Sequence, residues 1–234
     1  MKRGRTAQRA HRTLALLLRR VEHGESDLVV SFFTRTIGRV SALARGARKS
    51  TRRFGGALEP FHTLRIDLDE PATGDLFLLR EAALETPHVM LTSNLDRMDA
   101  AGRALAWVRV ASPPRTAEPE VWKEITALLD RLNGDADVNA RLVLAEQGLR
   151  LLVAFGWGLD LDRCVKCGKP CETGRSAFVD PVRGGLVCRS CGSARMKLNG
   201  ATRKRLATLS LLSEDVDAAL DLVERTLKAH AGTA

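Results

Sequence analysis

Two matched pairs of cysteines constrain this chain more than any other feature. Cys164 and Cys167 stand in Arg163-Cys164-Val165-Lys166-Cys167-Gly168, and Cys188 and Cys191 in Val187-Cys188-Arg189-Ser190-Cys191-Gly192, with residues 168–187 between the pairs. Four thiolates at this spacing can close a tetrahedral zinc site in which every position is filled by protein. A glycine follows each pair, which suits the tight turn that lets backbone approach a bound sulfur. The stretch 168–187 is too poor in apolar residues to hold itself together, so metal binding there would also be folding. Redox cysteines or a disulfide are the competing readings, and two matched pairs favour metal over both. Cys171, the remaining cysteine, sits close enough to Cys167 to compete as a ligand, but a spare exposed thiol is the expectation.

The expected zinc is single and structural. Four cysteine ligands leave no open position for water or substrate. His11, His23, His62, His88 and His230 all lie away from the cysteines in sequence. The H-x-E plus P-C-x-x-C pattern of zinc deaminases and the H-E-x-x-H pattern are absent. No catalytic residue is expected, and without a G-x-x-x-x-G-K-[ST] loop no nucleotide cofactor is expected either.

The formal charge of +9 is one-sided. Residues 1–55 hold 14 Lys/Arg against 3 Asp/Glu, and the rest of the chain 23 against 25. An arginine-rich proteome would raise the total, but it does not explain the asymmetry, which is the electrostatic footprint of a polyanion partner. The apolar stretch 14–18 is too short for a signal peptide, and no run is long enough to span a membrane. With reduced paired cysteines this points to the cytoplasm, at the nucleoid, and to no membrane partner.

The first 86 residues read as short strands. Residues 14–18, 28–33, 39–45, 61–68 and 76–81 are apolar or alternate polar with apolar, and turns separate them. Five strands in so short a span suggest a small closed barrel of the OB type, whose face and loops bind oligonucleotides; an SH3-like barrel fits the count as well. Of the neighbours Phe32 and Phe33, one is expected to face the core.

From residue 92 the period becomes helical. Leu95, Met98, Leu105 and Val108 predict one face, ended by Pro113-Pro114. Val121, Ile125, Leu128, Leu129 and Leu132 follow Pro119, and Leu142, Ala145, Leu149, Leu152 and Val153 make a third stripe. Two further helices are predicted over 202–212 and 213–229. The expected class is α+β and multidomain: an N-terminal OB-fold β-barrel, then an α-helical domain with an inserted four-cysteine zinc module. The expected bounds are 1–86 for the barrel, 87–162 for the first helical part, 163–198 for the zinc module and 199–234 for the last helical part.

Residues 35–54 carry the candidate nucleic-acid contacts: Arg35, Arg39, Arg45, Arg48, Lys49, Arg52, Arg53 and Phe54. The run 45–53 has no apolar periodicity and reads as a loop beside the barrel, where guanidinium groups can pair with phosphates. Phe54, and the one of Phe32 and Phe33 that does not face the core, are the aromatics left to stack on bases. With so few, binding is expected to be mostly electrostatic and not sequence-specific.

Several segments together carry a family resemblance. They are 24–30 (Gly24-Glu25-Ser26-Asp27-Leu28-Val29-Val30), 33–39, 45–48, 53–61, 151–157, then Leu159-Asp160-Leu161-Asp162-Arg163-Cys164, Cys167-Gly168 and 184–188. In this order and separation the chain resembles the RecO family of bacterial recombinational repair proteins over residues 12–212, with 90–145 matching least. The resemblance implies the OB-fold, the helical domain and the zinc module. It implies binding to single- and double-stranded DNA and annealing of complementary strands. It also implies work with the single-stranded DNA-binding protein and with mediators of the RecR/RecF type to load the recombinase. Lysine is frequent in the family where Arg45 stands, which keeps the charge; Cys171 and the arginine-rich first eleven residues are additions here. The alternatives are an RNA-binding zinc-ribbon factor and a nucleic-acid modifying enzyme with a structural zinc. The order of the motifs favours the repair reading.

Overall fold

The computed structural model describes residues 9–50, 52–134, 137–192 and 194–231. Of the basic N-terminal run, residues 1–8 lie outside the described residues. The chain divides into two units, one of residues 1–94 with 112–133 and one of residues 95–111 with 134–234.

The first unit is built on five strands: β1 (Ala10–His23), β2 (Asp27–Thr34), β3 (Gly38–Ala44), β4 (Thr63–Asp69) and β5 (Leu76–Thr86). They close into a barrel in the order β1-β2-β3-β5-β4, the arrangement of an OB-fold. β1 is long enough to serve two neighbours. Its first half pairs antiparallel with β4 and its second half with β2, and the register shifts between Leu17 and Arg19. That bulge bends the strand around the corner of the barrel. β3 and β5 pair in parallel, Ala42 opposite Phe77, to close the wall.

Alternation sets the interior. Ala15, Leu17, Val30, Phe32, Val40, Ala42, Leu64, Ile66, Leu68, Phe77 and Leu79 point inward and are buried. Phe33 is buried too, which corrects the expectation that one of the pair stays outside. Phe33 faces outward, where helix α2 (Pro119–Asn133) covers it: its ring lies 6.0 Å from that of Trp122. Buried His88 fastens the same helix, touching the Phe61 carbonyl at 2.8 Å and Asp130 at 2.9 Å.

The second unit holds helices α1 (Leu95–Ala111), α3 (Ala140–Ala154), α4 (Gly200–Thr208) and α5 (Val216–Ala231). α1 and α5 both pack on α3, and Gly148 of α3 leaves room for Trp107 and Val223. The buried stripe of α1 is Ala100, Ala101, Ala104, Leu105 and Val108, whereas Leu95 is 81% exposed. Val153 on α3 is exposed as well. The sequence pattern predicts both inward; each sits at a helix end, where the stripe has rotated off the packed face. α4 also stops earlier than the pattern predicts, because Leu209 turns left-handed at φ 54 and ends it. A four-stranded sheet of order β6-β8-β7-β9 completes the unit: β6 (Asp160–Cys164), β7 (Gly174–Asp180), β8 (Gly185–Val187) and β9 (Met196–Asn199).

Candidate nucleic-acid interface and metal centre

The basic run 45–53 belongs to the loop between β3 and β4, and both ends of that loop are pinned. At its start, the Gly46 N–H donates to Asp27 Oδ1 at 2.7 Å and the Arg48 N–H to the Ser26 carbonyl at 3.0 Å. The Gly46 N–H, helped by the Ser26 hydroxyl, holds the Asp27 carboxyl below its ordinary range. At its end, the Ala82 N–H donates to the Arg53 carbonyl, and Phe54, Ala57 and Leu58 enter the barrel core. The loop that carries the cations is thus tied at both ends. Asp27, which the sequence motif contains without a visible role, is the residue that ties the loop to the β1–β2 turn.

The expected contacts divide into free and engaged groups. Arg35, in the β2–β3 turn, and Arg45, Lys49 and Arg52, in the loop, are exposed. None of these four forms an ion pair among the described residues. Arg48 pairs with Glu22 at 3.2 Å. Arg53 donates to the Arg45 carbonyl and lies over the Phe54 ring, 5.0 Å from its centroid. Half-buried Arg39 spends its Nε on the Ser112 carbonyl at 2.8 Å, which gives it a structural attachment. Phe54 is 2% exposed inside the core, so its ring has no face to offer a base. The stacking expectation fails for it, because the loop needs an apolar plug where it re-enters the barrel.

Four other cations of this unit are paired with carboxylates. Arg12 pairs with Asp67, Arg65 with Glu85, Arg80 with Asp69 and Arg115 with Glu70. Unpaired cations gather at the loop and the β2–β3 turn, while Arg9 and Arg19 are also exposed and in no ion pair among the described residues. A cavity of about 530 Å³ opens beside the loop, lined by Arg20, Arg48, Lys49 and Leu58 and by the acids Glu22 and Glu59. Arg20 is a further cation here; it holds the Leu58 carbonyl and Glu59. The dibasic pair Arg19-Arg20 at the bulge was the sequence signal for it.

The four paired cysteines converge. Cys164 ends β6, Cys167 follows in the next turn, Cys188 follows β8, and Cys191 closes a short 3-10 turn, Arg189–Cys191. Their Sγ atoms all lie within 4.8 Å of one another, and Cys167 and Cys188 are 3.8 Å apart. Zinc–sulfur bonds of about 2.3 Å give a tetrahedron with edges of about 3.8 Å, whereas a disulfide needs about 2.05 Å. The four thiols can hold a metal ion. Gly168 and Gly192 both have positive φ, as the tight turns after each pair require.

The surroundings favour thiolates. The Cys188 N–H points at Cys164 Sγ and brings that thiol down to about 6. The Ser190 hydroxyl, 3.1 Å away, lowers Cys188. Cys191, hemmed in first by Cys188 and then by Cys167, is pushed up to about 12. Crowded sulfurs cannot all lose their protons unless a cation replaces them.

Two polar residues outside the cysteine pattern set this geometry. Asp160 Oδ1 accepts the N–H groups of Asp162 and Arg163 at 2.9 and 2.8 Å, which turns the chain into Cys164. Arg203 of α4 is 3% exposed and donates to the carbonyls of Leu161, Cys171 and Glu172, clamping the segments on both sides of the first pair. A buried arginine inside a short helix carried no sequence signal. Cys171 is half-buried, not exposed as expected, and is not one of the four converging thiols.

Against known proteins, residues 9–87 match the family model described as recombination protein O N terminal, and residues 92–232 the one described as recombination protein O C terminal. The chain belongs to the RecO family. The DNA repair protein RecO of Anaeromyxobacter sp. (strain K) is 38% identical over 176 residues, which cover 75% of this chain and 68% of that one. RecO of Desulfatibacillum aliphaticivorans is 34% identical over 245 residues, covering 94% and 92%. RecO of Geobacter sulfurreducens is 33% identical over 195 residues, covering 82% and 77%. RecO membership places the chain in DNA repair and recombination. Among the described residues, no helix is long and apolar enough to cross a membrane.

Proposed function

We propose that this RecO-family chain is a non-enzymatic mediator of recombinational repair. It binds single- and double-stranded DNA through the loop 45–53 and the β2–β3 turn, and it anneals complementary strands without a nucleotide. It helps load the recombinase onto strands coated by the single-stranded DNA-binding protein, together with mediators of the RecR/RecF type. It works in the cytoplasm at the nucleoid. Zinc fills the four-cysteine site and holds the module's fold, with no step of chemistry assigned to it.

The observation that carries this reading is the contrast in charge on the barrel unit. Most of its strand arginines are matched by carboxylates, while Arg35, Arg45, Lys49 and Arg52 are not. Cations on a loop tied at both ends, and in no ion pair among the described residues, are placed for phosphates, whose repulsion must be screened before two strands can pair. Specificity is expected to be low, since no ring of the barrel's Phe32, Phe33 or Phe54 is open to a base.

The test is annealing of complementary strands precoated with the organism's own single-stranded DNA-binding protein, with no nucleotide present. Faster annealing that weakens as salt rises is the expected result. No annealing, or binding that strongly prefers RNA of the same sequence, contradicts the reading.

A further inference from the structure

The zinc-module segment 163–198 carries eight Lys/Arg and only two acids, Glu172 and Asp180. The near-neutral balance of residues 56–234 hides this. Both acids are already used, Glu172 by Arg175 and Asp180 by Arg183. Of the six other cations, three share one face. Lys169, Arg189 and Lys197 are exposed and line a cavity of about 420 Å³ that has no carboxylate in its wall.

That cavity also contains an aromatic ring. Phe178 of β7 lies across from Val187 of β8 and Lys197 of β9, so the three share one face of the sheet. The opposite face carries Val179, Leu186 and Leu198, which are buried. Phe178 is only half-buried. Lys169 follows the first cysteine pair and Arg189 lies within the second, so the cysteine turns carry both to the cavity wall.

We infer that this face is a second nucleic-acid contact, which stacks an unpaired base on Phe178 and takes the flanking phosphates on Lys169, Arg189 and Lys197. A ring among cations in a wall without carboxylates is what single strands need: a stacking platform within an electrostatic groove. The barrel offers cations but no open ring, and this module offers both. A duplex keeps its bases stacked on each other, so the ring favours single strands. The inference rests on the DNA-binding reading above and gives the module a share in it.

The test compares Lys169→Gln/Lys197→Gln and Phe178→Leu with the full-length wild-type protein. Metal content and melting temperature are checked first. The two lysines are exposed and form no ion pair among the described residues, so their variant keeps its fold even if Phe178→Leu does not. Affinity for oligo(dT) and for a duplex is measured across salt. The double-lysine variant should lower the single-strand salt slope by about 1.4, at about 0.7 per lost phosphate contact. Phe178→Leu should weaken single-strand binding about 5- to 10-fold and leave the duplex near wild type. Unchanged affinity and slope in both variants, in a protein whose DNA binding is lost through Arg45, Lys49 and Arg52, overturns this inference and leaves the barrel reading standing. Equal losses on single strands and duplex overturn the stacking role. A wild-type protein that binds no DNA overturns both readings. Loss of a protein partner with DNA affinity intact overturns the nucleic-acid role and reassigns the face.

Discussion

Asp215 is fully buried, and Arg205 grips it at 2.5 and 2.8 Å. It also accepts the Leu212 N–H at 3.0 Å as the chain enters α5. The Arg205 guanidinium holds its carboxyl at about 2, against an ordinary 3.8. A lowered carboxyl adds stability above the unfolded value and loses it as pH falls through the folded one. The contribution, about 2 kcal/mol, is therefore whole above pH ~5 and vanishes between about pH 4 and pH 2. Asp215→Asn should remove most of it at pH 7 and flatten that stretch of the stability–pH curve, as urea unfolding would measure; a curve parallel to wild type contradicts the assignment. Gly38 is the second residue on which much depends. Its φ is +68°, and a Cβ there would lie 1.8 Å from the Thr116 carbonyl oxygen. Gly38→Ala should cost at least about 2 kcal/mol, seen as a lower urea midpoint at unchanged slope. Neither role could be read from sequence alone: nothing in the pattern marks Gly38 as packed against the Thr116 carbonyl or Asp215 as buried. The cysteines were legible because metal chemistry fixes type and spacing together. Asp27, Asp160 and Arg203 were not, since each works through backbone groups that carry no signature.

Among the elements, strands were easier to recognise than their surroundings. Alternation marks β3 and β4 in the sequence because each has one buried face. The bulge near Leu18 and the cover over Phe33 were hidden, because both depend on what packs from outside the strand. Phe33→Ala should cost about 3 kcal/mol, a core-sized loss rather than a surface one. A change under about 0.5 kcal/mol in thermal or urea unfolding, the size of a surface substitution, contradicts the packing of α2 on β2. The four-stranded sheet is the element most dependent on the cysteines. Removing metal with a chelator, or Cys188→Ser, should lose stoichiometric zinc and raise hydrogen exchange across residues 160–199, with barrel strands still protected. Retained metal, or unchanged protection there, would show that the sheet holds itself. Phe54 marks the limit of pattern reading: a ring beside arginines looks like a stacking platform until the loop is seen to use it as a plug.

At the scale of the molecule, the one-sided charge was the feature that sequence displayed most openly, and pairing refined it. Counting placed the excess in the first quarter of the chain. Only the structure separates Arg12, which Asp67 neutralises, from Arg45, which forms no ion pair among the described residues. The most direct measurement is the salt dependence of affinity for a single-stranded oligonucleotide, wild type against Arg45→Gln/Lys49→Gln/Arg52→Gln. These three side chains form no ion pair among the described residues, so stability should not change. At about 0.7 per phosphate contact, the slope of log K against log salt should fall by about 2, with weaker binding at low salt. A variant with wild-type slope and affinity, or a wild-type slope near zero, contradicts the claim that this loop holds DNA by its phosphates.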